Sequence, residues 1–83
     1  MMDSIEALKK TNAAIFNLRY DEFVKVLEQA KNENLLEGDK HWILRYSLVT
    51  APDFRFFEKA LQLCIDNNTV LLDWMLSGPK HNL

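Results

Sequence analysis

Two glycines in 83 residues, Gly38 and Gly78, leave no room for a phosphate-cradling loop. A single cysteine, Cys64, rules out an intrachain disulfide. A lone cysteine on an apolar segment fits a reducing compartment. Two histidines, His41 and His81, with no second cysteine give none of the spacings that hold a structural metal, and no cofactor is expected. Charge of one sign is also missing: ten cations face twelve anions, for a net charge of −2. That balance gives no electrostatic reason to expect nucleic acid or an anionic membrane as partner. The longest strongly apolar run, Val70 to Leu76, is broken by Asp73 and too short to span a bilayer. The first six residues carry Asp3 and Glu6 and no apolar run, unlike a signal peptide. The expectation is a soluble, cytoplasmic protein.

What is present is apolar and helical. Hydrophobic residues make up 48% of the chain, and no stretch alternates with a period of two. The length suits one domain, residues 1–83, with 78–83 expected as a flexible tail. Helical periodicity predicts five short helices. The first covers about 4–17, capped by Asp3 or Ser4, with Ile5, Leu8, Ile15 and Phe16 on one face. The second runs to about Asn32, capped by Asp21, with Phe23, Val26, Leu27 and Ala30 inward. The third covers about 40–49. Thr50-Ala51-Pro52-Asp53 is the clearest start signal, with Thr50 capping and Asp53 answering it, and opens a fourth helix over about 52–66. A fifth, apolar nearly all round, is expected over 70–77, stopped by Gly78 and Pro79. The fold class is all-α: a compact bundle of about five short helices, or two stacked helical hairpins.

An internal match links the second and fourth helices. Phe23-Val24-Lys25-Val26-Leu27-Glu28-Gln29-Ala30 lines up with Phe57-Glu58-Lys59-Ala60-Leu61-Gln62-Leu63-Cys64, 34 residues later. A period in the thirties is what stacked helical hairpins produce, and such stacks present binding surfaces. A duplication and a chance agreement of two amphipathic helices both fit the match. Glu22-Phe23-Val24-Lys25-Val26-Leu27 resembles the outer-helix signature of ankyrin repeats over those six residues. Asn12 and Arg19 stand where that family has Leu and Gly, and no function is carried over.

Charge is uneven along the chain. Fourteen of the twenty-two charged residues precede Trp42 and eight follow it. The third to fifth helices therefore hold more apolar surface than one small core needs. On the fourth helix, Phe54, Phe57, Leu61, Cys64 and Ile65 form one stripe, and Phe56, Ala60 and Leu63 form another roughly opposite. Either this helix is central and buried on both sides, or the second stripe faces another molecule. The second option names Leu44, Leu48, Phe56, Ala60, Leu63, Trp74 and Met75 as candidate partner-binding residues.

The expected function is a non-enzymatic protein–protein interaction module: an inhibitor, immunity-type protein or adaptor. It would mask or bridge another protein through an apolar face of the third to fifth helices, with self-association as a close variant. The alternative is a nucleic-acid-associated or transcriptional regulator acting as a helical homodimer. Against it, Phe54, Phe56 and Phe57 occupy the helix that would read DNA, with Arg55 and Lys59 as its cations. An enzyme would rest on Cys64, the two histidines and Asp73, which no spacing brings together.

Overall fold

The computed structural model describes residues 2–36 and 42–76, the side chain of Trp74 excepted. Four α-helices follow one another: α1 (Ser4–Phe16), α2 (Tyr20–Asn32), α3 (Trp42–Val49) and α4 (Phe54–Asp66). A single 3₁₀ turn, Asp73–Leu76, comes after them. No strand occurs among the described residues. α1 packs chiefly on α2 and α3 chiefly on α4, so the chain forms two helical hairpins. The hairpins stack, α3 against α1 and α4 against α2. The expected tail, residues 78–83, lies outside the described residues, as does the start expected for the third helix at Lys40.

Side chains fix where the helices begin. Asp3 caps α1, its Oδ1 accepting from the Glu6 N–H at 2.8 Å. Asp53 caps α4 from an extended backbone, accepting from the N–H groups of Arg55 and Phe56. This corrects the expected capping by Thr50, whose Oγ1 instead donates back to the Tyr46 carbonyl at 2.6 Å. Asp21 likewise lies inside the first turn of α2, and Arg19 holds the cap position without a side-chain bond.

Helix ends share one device. Leu18, Asn34 and Asn68 adopt positive φ of 56°, 60° and 54°. The next residue's N–H then reaches back to a carbonyl of the last turn: Arg19 to Ala14, Leu35 to Ala30 and Thr69 to Cys64, each at 2.8 Å. This left-handed closure satisfies carbonyls that the helix end leaves free. The closures of α2 and α4 fall 34 residues apart, as do their starts at Tyr20 and Phe54. The 34-residue register seen over eight residues thus extends over both helices and their closing turns.

The fifth helix does not form. Val70 to Leu72 is irregular, and the turn that follows is four residues long. So short an apolar run gains little from helix propagation once nucleation is counted. A tertiary bond holds it instead, Arg45 Nε donating to the Val70 carbonyl at 3.0 Å. The 3₁₀ turn packs on α3, with Leu71 and Met75 partly buried against the core.

The core runs through both hairpins. Phe23, Leu27, Leu36, Ile43, Leu44, Leu48, Phe56 and Leu63 are its largest buried apolar side chains. The inward face of α1 is rotated from the expected one and keeps Ile15 and, half-buried, Leu8. Ala7, Thr11, Ala14 and Ile15 are buried, while Ile5 and Phe16 are exposed. Small side chains at 7, 11 and 14 form a smooth strip that suits close approach to a neighbour, and the Thr11 hydroxyl is satisfied by the Ala7 carbonyl at 2.7 Å.

Candidate interaction surface

The buried face of α4 takes in the whole of the second stripe and part of the first, much of what a central helix would bury. Phe56, Ala60 and Leu63 face hairpin one and are buried, as are Leu44 and Leu48 on α3. The Phe56 ring lies 4.9 Å from Phe23 and 5.4 Å, edge-on, from Tyr20. These five candidate partner-binding residues are therefore spent inside the chain, since hairpin stacking already removes them from water. Met75 is partly buried, and the side chain of Trp74 lies outside the described residues.

Of the other stripe, Phe57 and Cys64 are buried too, Leu61 is half-buried, and Phe54 and Ile65 face out. At about 100° per residue, Phe54, Leu61 and Ile65 fall within a narrow arc nearly opposite Phe56 and Leu63. Phe54 is 61% and Ile65 65% exposed, with Leu61 partly buried between them. Phe57, on the inner margin of this stripe, is buried, its ring 6.1 Å from Phe54. A groove of about 450 Å³ along this side is lined by Tyr20, Glu58, Lys59, Leu61, Gln62 and Ile65.

The 34-residue register relates the face of α4 to that of α2. Hairpin one offers Tyr20, Phe23 and Leu27 to hairpin two, and hairpin two repeats that face as Phe54, Phe57 and Leu61. No third hairpin is stacked there among the described residues. Among the described residues the 3₁₀ turn packs on α3, and Phe54 and Ile65 of α4 stay exposed. The following loop shows the same contrast: Leu36 is fully buried, and its counterpart Val70 is 69% exposed.

The opposite end of the stack is polar. Where hairpin two turns Phe56, Lys59 and Leu63 toward hairpin one, hairpin one carries Glu22, Lys25 and Gln29, all exposed. Where α3 buries Ile43 and Leu44, α1 carries exposed Lys9 and Lys10. Between α1 and α2 on this end lies a groove of about 440 Å³, lined by Lys10, Asn17, Glu22, Lys25 and Gln29 among others. A polar outer face is what closes the end of a helical stack to water. A third surface lies between α1 and α3, where Phe16, 88% exposed, and Tyr46 line a shallow groove.

Among the described residues, chemistry-bearing side chains do not converge. Cys64 is buried on α4, and burial pushes its thiol up to about 11, with the Arg45 charge acting the other way. A thiol so placed holds its proton at neutral pH. His41 and His81 lie outside the described residues. Asp73 is exposed on the 3₁₀ turn, in keeping with a solvent-facing charge. Among the described residues no group of His, Cys, Asp and Glu is placed to hold a metal ion. No helix of the described residues is long and apolar enough to cross a membrane.

The polarity difference between the ends was readable in the register, had the eight-residue match been carried outward in both directions. The contrasts Glu22 against Phe56 and Gln29 against Leu63 are both in the sequence. What the sequence lacked was the direction of stacking, which decides which stripe is covered. No protein-family model, no curated protein and no solved structure matches the chain.

Proposed function

We propose that this protein is a non-enzymatic interaction module that binds another protein through the open face of α4, with Phe54, Leu61 and Ile65 as the apolar contacts. One observation carries the reading: Phe54 and Ile65 sit exposed on one arc of α4 with half-buried Leu61 between them, and the counterparts of Phe54 and Leu61 in the preceding hairpin, Tyr20 and Leu27, lie on the face that packs against hairpin two. Clustered exposed apolar surface on a small domain marks a contact site. Aromatic residues at such a site are the kind that anchor interfaces. The nucleic-acid alternative gains less support. Lys10, Arg55 and Lys59 are each held by an acid, Glu6, Asp53 and Glu28, leaving no open basic stripe on α4.

The test compares capture of partners from the native cell by wild type, by Ile65→Asp on the open face, and by Lys25→Glu on the polar end. The expected result is a partner lost with Ile65→Asp and retained with Lys25→Glu, at equal thermal stability of all three proteins. A partner retained by Ile65→Asp refutes the assignment of this face.

A further inference from the structure

We propose that the occupant of the open α4 face is an amphipathic helix of another protein whose apolar stripe is flanked by cations. This deepens the reading above and rests on it. The internal stack supplies the template. α4 docks on α2 with Phe56 against Tyr20 and Phe23, and with two cations beside that contact. The Arg55 guanidinium lies 5.1 Å over the Tyr20 ring, and Lys59 Nζ meets the Glu28 carboxylate at 3.2 Å. The counterpart of Tyr20 is Phe54, whose exposed ring offers the same kind of face to a cation.

The charges on the open side point the same way. Glu58 lies one turn after Phe54 on the same arc, and Asp66 ends the helix next to Ile65; both are exposed. Among the described residues neither has an ion-pair partner. The last turn of α4 carries no basic residue, so the partial negative charge of the helix end adds to Asp66. The cations of this helix are already engaged elsewhere, Arg55 with Asp53 and Tyr20, Lys59 with Glu28. The face is thus an apolar strip with an acidic margin, and its complement is an apolar strip with a basic margin. A second copy fits less well. Antiparallel pairing of Phe54 with Ile65 would bring the Glu58 carboxylates of the two copies near the centre of the contact with no free cation between them.

Two synthetic helical peptides test this. They share one apolar stripe, Phe, Ala and Leu at the spacing of Phe56, Ala60 and Leu63, and differ only in having Arg and Lys or Glu at the flanks. Fluorescence anisotropy against the full chain should show the basic peptide binding about tenfold tighter or more at low salt, with the gap narrowing as salt rises. Phe54→Ser and Ile65→Ser should abolish that binding, and Glu58→Lys should remove the preference for the basic peptide. Equal binding of both peptides, binding of neither, or no effect of Phe54→Ser overturns the proposal. So does a dimer by light scattering that Ile65→Ser dissociates, which would assign the face to a second copy. Nuclear Overhauser contacts from residues 77–83 to Ile65, with no peptide bound, would assign it to the chain's own C-terminal residues and also overturn the proposal. The wider interaction reading fails separately, by a cellular partner that survives Ile65→Asp.

Discussion

Replacing Phe56 by Ala tests the central packing claim, because its neighbour two residues away serves as a control on the same helix. Phe56 is fully buried, with Phe23 at 4.9 Å and Tyr20 edge-on at 5.4 Å. Truncating a buried Phe costs about 3–5 kcal/mol in lost transfer energy and cavity formation. Two aromatic contacts, each about 0.5–1.5 kcal/mol beyond area, place Phe56 in the upper part of that range. A chain of this length has a total stability of roughly 4–12 kcal/mol. Phe56→Ala should therefore remove a third of the stability at least, and unfold a chain at the low end of the range. Phe54→Ala removes an exposed ring and should change stability by no more than about 0.5 kcal/mol. Urea unfolding followed by far-ultraviolet circular dichroism measures both. A loss below about 1.5 kcal/mol for Phe56, or a comparable loss for Phe54, would show that α4 does not stack on α2 through this stripe.

Three further outcomes can be checked on the same protein. Leu18 is held at a φ of 56° with its side chain largely in water, so Leu18→Gly should stabilise by about 0.5–1 kcal/mol, read as a higher urea midpoint at unchanged slope. Asn34→Gly and Asn68→Gly should gain less, because Asn tolerates that conformation better than Leu. Burial raises the Cys64 thiol from 9.0 to about 11, so the folded state holds this proton more tightly than the unfolded state. Stability should be flat with respect to this group below pH 9.0 and fall as pH rises toward 11; Cys64→Ala should lose that part of the alkaline slope.

Much of this architecture could be read from the residues. Pro52-Asp53 marks the start of α4 because the proline bars helix from the residue before it and the carboxylate satisfies free N–H groups. Asn67-Asn68 marks its end because Asn accepts positive φ. The two-faced character of α4 followed from spacing. The choice of buried face did not, since a helical wheel fixes angles and not neighbours; Phe56 and Phe54 look equally apolar until α2 is in place. The missing fifth helix has the same origin. Val70 to Leu76 is apolar enough to be buried as a helix, yet it is too short to hold one and is tied by Arg45 to α3. In α1, Ile5 and Phe16 drew attention as large apolar residues, whereas the packing used Ala7, Thr11 and Ala14, whose small size carries little weight in a hydrophobic pattern.

The contrast between Glu22, Lys25 and Gln29 at one end and Phe54, Leu61 and Ile65 at the other makes the particle directional. If the α4 face is its adhesive end, the molecule has a valence of one along the direction of stacking. Head-to-tail growth would press an apolar strip onto a charged one, leaving charges without water or partners, and so would arrest after a single addition. A particle of that kind terminates an assembly, and it titrates its target one for one.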